Sequence, residues 1–328
     1  MKSTRSMRML AACFLLMAVA ACGPRSTGTS NPATTKKKFY WVQGLKGHPV
    51  HQLTQIAFLE GCREFGYDGE IIGADNDDLS STIALAEQAL AKGDAAGMAV
   101  WTGNPGWNPF IEKAARTGLP IVLPHFPSPE GSVPGASGII SCDPAAYAAE
   151  AAKEIGKAIG GKGAVAVTQG SFNSTENLVA VTFAKTLGDL YPDVKVLEPQ
   201  EETFDAPKAI ARAVSILQAN PDVVAALSTT GNGATTWSGA QRETGKSLVV
   251  VSMDYTRVNL DLVKDGSIHA VIAQPLWEES FGAAELLDRI VRGESIPWWT
   301  KLTAPFLTRE KTGPYYALID KVEAAIAR

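Results

Sequence analysis

Val249-Val-Val-Ser-Met-Asp254, Leu262-Val-Lys-Asp-Gly-Ser-Ile-His269 and Val271-Ile-Ala-Gln-Pro275 follow one another along the chain, and their order decides the fold. The first is an apolar, β-branched run ending on a carboxylate, read as a strand over 248–252. Residues 258–264 read as a helix, and 270–272 read as a second strand that ends toward Gln274. Strand, helix and strand joined by short loops build parallel pairing, with the helix laid on one face of the sheet.

The same rhythm extends upstream. Strands are expected at 39–42, 69–73, 97–101, 120–124 and 138–141, separated by helices at 50–65, 80–92 and 108–117. A second series has helices at 145–159, 175–190, 207–219 and 234–244 and strands at 164–168, 195–197 and 223–227. Phe39–Arg328 is longer than one typical domain of roughly 100–200 residues, so the two series are read as two doubly wound α/β domains. The tail is expected to add a strand at 302–307 and a helix at 315–327.

In such sheets ligands bind beyond the carboxyl ends of the strands. Those positions hold Gln43, Lys46 and His48, then Asp75, Asn76 and Asp77, then Trp101, Asn104 and Trp107, then His125 and Phe126. In the second series they hold Phe172, Asn173, Phe204, Asp205, Thr230, Asn232, Asp254, Tyr255 and Gln274. Flat rings beside amides and carboxylates suit a small molecule with hydroxyls at its edge and C–H groups on its face. Each Asp or Asn in the set is equally explained as a turn former or helix cap.

The amino end points outside the cytoplasm. Lys2, Arg5 and Arg8 precede an apolar segment at 10–18, and Val19-Ala-Ala-Cys22 closes it, the pattern of a secretory signal. It resembles a bacterial lipobox, which implies cleavage before Cys22 and lipidation of its thiol. Residues 23–38, rich in Gly, Pro, Ser and Thr and ending in lysines, read as a flexible tether. The formal charge is -4, and loss of the three basic signal residues makes the mature chain more acidic, which argues against nucleic acid as a partner. Cys62 and Cys142 are read as buried free thiols, with a disulfide between them left open.

The segments quoted first, together with Ala74-Asp-Asn-Asp77, Gly170-Ser-Phe-Asn-Ser-Thr175, Phe204-Asp205 and Gln218-Ala-Asn-Pro221, resemble the type I periplasmic binding proteins, the ribose-binding-like group that serves ABC sugar importers. The resemblance runs from Phe39 to about Gly293. It implies two lobes joined by three crossovers, 39–142 plus 275–300 and 143–274 plus 301–328, with ligand in the cleft, a permease as partner, a lipid anchor to the membrane, and a monomer without cofactor. By position it implies that Asp254 and Gln274 hydrogen-bond sugar hydroxyls and that Asp143 follows the fifth strand.

The chain also departs from that pattern. Phe126 and Asn177 stand where the group commonly has arginines, and His48 replaces an asparagine. Without those guanidinium groups, and with Asp143, Asp205 and Asp254 near the cleft, the expected ligand is neutral or weakly cationic rather than acidic. Expected contacts are Gln43, His48, Trp101, Asn104, His125, Phe126, Asp143, Phe172, Asn173, Asn177, Asp205, Asn232, Asp254 and Gln274. Nucleotide and hydrolase motifs are absent: no complete G-x-G-x-x-G, phosphate-binding G-x-x-x-x-G-K-[ST] or G-x-S-x-G occurs. Two alternatives stay open, a sensor that presents a small signal molecule to a receptor and an exported metal-dependent enzyme using His48, His51 and His125.

Overall fold

Strands buried on both faces need helices on both sides, and the chain supplies them in alternation. The computed structural model describes residues 37–76 and 78–327. The expected signal, Cys22, most of the tether, and Asp77 lie outside the described residues.

The first lobe contains β1 (Lys38–Val42), α1 (Pro49–Glu64), β2 (Asp68–Ile72), α2 (Leu79–Lys92), β3 (Ala95–Val100), α3 (Asn108–Arg116), β4 (Ile121–Pro124) and β5 (Gly138–Cys142). The second contains α4 (Pro144–Ala158), β6 (Gly163–Gln169), α5 (Ser174–Leu190), β7 (Val194–Val196), β8 (Gln200–Glu201), α6 (Ala206–Ala219), β9 (Val223–Ser228), α7 (Gly233–Thr244), β10 (Val249–Met253), α8 (Arg257–Asp265) and β11 (Ala270–Ile272). The chain then returns through α9 (Leu276–Val291) and β12 (Trp299–Leu302), and crosses again to β13 (Phe306–Leu307) and α10 (Gly313–Ile326). One sheet runs β12-β5-β4-β3-β1-β2; the other runs β13-β11-β10-β9-β6-β7, with β8 beside β6. The described pairings are parallel except β11 with β13.

Alternating side chains divide each strand between two cores. From β1, Phe39 and Trp41 pack with Phe58, Ala284 and Leu287, whereas Tyr40 and Val42 pack with Met98, Phe110 and Ile121 on the opposite face. α1 lies so close to α9 that a Cβ on Gly61 would come within 2.9 Å of both the Ala284 Cβ and the Phe281 carbonyl oxygen. Helix starts are fixed by side-chain caps: Asp78, Asp143, Asn173 and Asp205 accept backbone N–H bonds at the starts of α2, α4, α5 and α6.

Several boundaries differ from the sequence reading. Lys38, assigned to the tether, opens β1 and pairs with Glu70 and Asp94. The single strand expected at 302–307 is two strands, β12 in the first sheet and β13 in the second, so Lys301 and Leu302 belong with the first lobe. The segment between them is the third crossover, tied to the others where Lys301 meets Asp143 at 2.9 Å and where Ala273 N–H donates to the Pro305 carbonyl at 2.9 Å. α9 had no counterpart in the sequence reading. Cys62 and Cys142 are both free and buried.

Candidate functional site

The two sheets turn their carboxyl ends toward each other across a cavity of about 620 Å³. A depression of about 770 Å³ lies at the opposite, amino end of the first sheet, around Ala95, Leu119 and Pro120. Ligands of doubly wound sheets sit at carboxyl ends, so the interlobe cavity is the candidate site.

β4 and β10 occupy the same place in their respective sheets. Each ends in a non-glycine residue with left-handed backbone, His125 at φ 78° and Asp254 at φ 69°. Holding a side-chain-bearing residue there costs on the order of 1–3 kcal/mol, and such strain concentrates at sites of function. Ladder-like bonds maintain it: His125 N–H donates to Ile140 O at 2.9 Å and Asp254 N–H donates to Ile272 O at 2.8 Å. The result is a histidine from one lobe and an aspartate from the other, both lining the cavity.

The first lobe supplies the aromatic wall. Trp101 stacks on His125, with ring centres 4.2 Å apart and planes at 14°, and Phe126 meets both edge-on. His125 Nδ1–H donates to Glu279 Oε1 at 2.8 Å, and the Glu279 side chain is fully buried behind the wall. His51 Nδ1 faces the Gly44 carbonyl at 2.8 Å and must carry the hydrogen there, leaving Nε2 as an acceptor. Burial pushes its pKa down to about 4, so it is neutral. His48 spans the lobes, its Nε2 lying 3.3 Å from Asn232 Oδ1. Burial lowers its pKa as well, and its Nδ1 is buried without a partner among the described residues.

The second lobe supplies Asp254 and Gln274, both buried, and the loop at 171–176. Asp254 Oδ1 is buried and unpartnered among the described residues. Burial raises its pKa to about 7, against the pull of His125 and with further repulsion from Glu279 and Glu176. Glu176 lines the cavity but is engaged by the loop, accepting from Gly170 N–H, Asn173 Nδ2 and Thr229 Oγ1. Phe172 and Phe204 form an exposed apolar rim.

Of the expected contacts, His48, Trp101, Asn104, His125, Phe126, Phe172, Asn173, Asp254 and Gln274 line the cavity. Five do not. Gln43 is buried behind the wall, accepting from Trp41 Nε1 and Thr54 Oγ1. Asp143 caps α4 and pairs with Lys301 at a crossover, while Asp205 caps α6 on the exposed surface. Asn177 is exposed and accepts from Gln169, and Asn232 reaches the site only through His48. The sequence reading missed Tyr147, Glu176 and Glu279, and gave His51 only a metal role. For Glu176 a signal existed, because Asn173 and Glu176 have the spacing of a capping box.

Of the three histidines in the metal-enzyme alternative, His51 and His125 spend Nδ1 on a carbonyl and a carboxylate, which leaves only Nε2 of each for any ligand. Among the described residues no group of three or more His, Cys, Asp or Glu side chains is placed to hold a metal ion. Among the described residues no Lys or Arg lines the cavity, so this wall offers acceptors, amides, hydroxyls and ring faces.

Comparison with known proteins agrees with this fold. The D-apiose import binding protein of Actinobacillus succinogenes is 25% identical over 241 residues, covering 70% of this chain and 74% of that protein. The ribose import binding protein of Bacillus subtilis is 24% identical over 302 residues, covering 90% and 95%. A solute-binding protein of an Actinobacillus succinogenes ABC transporter, solved with bound D-allose, superposes with a TM-score of 0.79 at 20% identity, covering 85% of this chain and 100% of that one. Residues 39–295 match the family described as the periplasmic binding protein domain, and the chain belongs to that family.

Proposed function

We propose that the protein captures a neutral monosaccharide, or a similar small polyhydroxylated compound, between its lobes and delivers it to an ABC importer. One observation carries the reading: a cavity with no Lys or Arg among its described lining residues sets stacked aromatic rings against buried acceptors, Asp254 Oδ1 and His48 Nδ1, that lack partners among the described residues. A buried acceptor without a donor costs roughly 1–3 kcal/mol, and a ligand hydroxyl relieves it. The C–H face of a sugar ring suits Trp101, Phe126 and Phe172, and its hydroxyls suit Asp254, His48, His51, Asn173 and Gln274. The relatives named for D-apiose and ribose import support the ligand class.

No bond is made or broken in this mechanism. Ligand contacts from both lobes exist together only when the lobes are closed, so the ligand shifts the population by its differential affinity, and the permease reads the closed form. Cleavage before Cys22 and lipidation of that residue would hold the protein outside the cytoplasm, as a monomer on a tether. Thermal-shift screening against D-ribose, D-apiose and D-allose, followed by calorimetry, tests the reading. A neutral sugar that raises the melting temperature and binds at one site per chain supports it, and stabilisation by none of them overturns it.

A further inference from the structure

We propose that Glu279, which lies outside the cavity wall, is a positioning residue: it fixes the His125 ring so that Nε2 serves the ligand, and holds Trp101 against the imidazole as the stacking platform. This inference rests on the proposed sugar-binding role of the cleft. Glu279 sits in the first turn of α9, and the Glu279–His125 bond at 2.8 Å joins that helix to the end of β4. His125 cannot easily re-aim, since its backbone is left-handed and tied to Ile140, and its ring is covered on one face by Trp101. With Nδ1 spent on Glu279, Nε2 has no protein partner among the described residues and serves the cavity. Trp101 in turn rests on His51 and Phe126, so a lost His125–Glu279 bond loosens the whole aromatic wall.

Charged and titratable neighbours approach His125 from every side. Glu279 faces it from α9, Asp254 from the end of β10, and Glu176 from α5, while His51 faces it from α1. Tyr147 and Cys142 lie nearby and keep their protons, because burial raises both. Burial alone would discharge the imidazole, but the surrounding carboxylates, Glu279 first, outweigh it and hold the His125 proton above the usual histidine range. Burial pushes Glu279 upward while His125 draws it back, and the bond between them keeps Nδ1 engaged and leaves Nε2 for the ligand. His125 from one lobe and Asp254 from the other both line the cavity, an arrangement suited to a neutral sugar that presents several hydroxyls.

The test pairs NMR titration of the histidine rings in the ligand-free protein with calorimetry for D-ribose between pH 5 and pH 9. In the wild type His125 is expected to titrate above about 6.5, and in Glu279→Gln at least about one pH unit lower. Glu279→Gln is expected to weaken D-ribose binding about tenfold at pH 7. In a His125→Asn background, chosen because Asn tolerates left-handed backbone, Glu279→Gln should add less than about a twofold loss, as expected if it acts through His125. An unchanged His125 titration in Glu279→Gln, or an equal loss of binding in both backgrounds, overturns the inference. Failure of every form, wild type included, to bind D-ribose counts against the proposed function, and the NMR titration still decides whether Glu279 controls His125.

Discussion

Replacing Asp254 by Asn should weaken ligand binding and stabilise the empty protein, and both effects follow from one buried atom. Asp254 is 5% exposed, and its Oδ1 has no protein partner among the described residues. A hydrogen bond to a charged group contributes roughly 1.5–3 kcal/mol, so its loss raises Kd by about ten- to 150-fold. Asn keeps the shape and tolerates the left-handed backbone at φ 69°, so the change isolates charge from strain. The stability effect comes from linkage. Burial raises the Asp254 pKa from 3.8 to about 7, and a carboxyl raised on folding contributes stability below its unfolded pKa that is lost as pH rises through the folded one. At pH 8 the penalty is on the order of 4 kcal/mol for a shift of this size, and Asn removes it. Melting curves of the ligand-free proteins should therefore coincide near pH 4 and separate by several degrees at pH 8, with Asp254→Asn the more stable. A variant that binds the best sugar of the screen as tightly as the wild type, or that melts lower than the wild type at pH 8, would refute this reasoning.

Trp101→Ala removes the platform that stacks on His125, and calorimetry should show at least about tenfold weaker binding with little change in fold by circular dichroism. Gly231→Ala places a Cβ 2.7 Å from Asp254 Oδ2 and 3.3 Å from Val50 Cγ2, so it should displace the carboxylate and reduce affinity more than it lowers the melting temperature. Glu202, buried among Ser228 and Thr236 hydroxyls, is raised to about 7 chiefly by burial, so Glu202→Gln should flatten the loss of stability between pH 5 and pH 8 seen in thermal melts. Dialysis against a strong chelator should leave sugar affinity unchanged; a stoichiometric transition metal in the purified protein, with activity lost on its removal, would revive the metal-enzyme alternative.

The fold was legible because its signal is local. Ile121–Pro124 is apolar throughout and Val249–Met253 is apolar except for Ser252, as suits strands covered on both faces, and helices along the chain carry their own caps. α9 was hidden by its composition: Glu279, Ser280 and Asp288 are buried in it, which breaks the apolar periodicity a sequence can show. The site was half legible. Position after a strand located His48, Trp101, His125, Phe126, Asp254 and Gln274. The same rule misplaced Asp143 and Asp205, because a carboxylate just before a helix satisfies that helix's free N–H groups first. Glu279 carried no signal at all, since its partner His125 lies 154 residues away and only the packing of α9 behind β4 brings them together.

The proposed selection of neutral polyhydroxyl compounds rests on a wall whose described residues offer acceptors and ring faces but no Lys or Arg. The most direct measurement is calorimetric affinity for a neutral aldose and for the sugar acid and sugar phosphate of the same carbon skeleton, side by side at pH 7.5. The account predicts single-site binding of the neutral aldose and none of either anion, because a bound carboxylate or phosphate would meet Asp254 and Glu176 with no Lys or Arg among the described lining residues to offset them, while His125 is already paired with Glu279. Tighter binding of either anion than of the neutral sugar would contradict it.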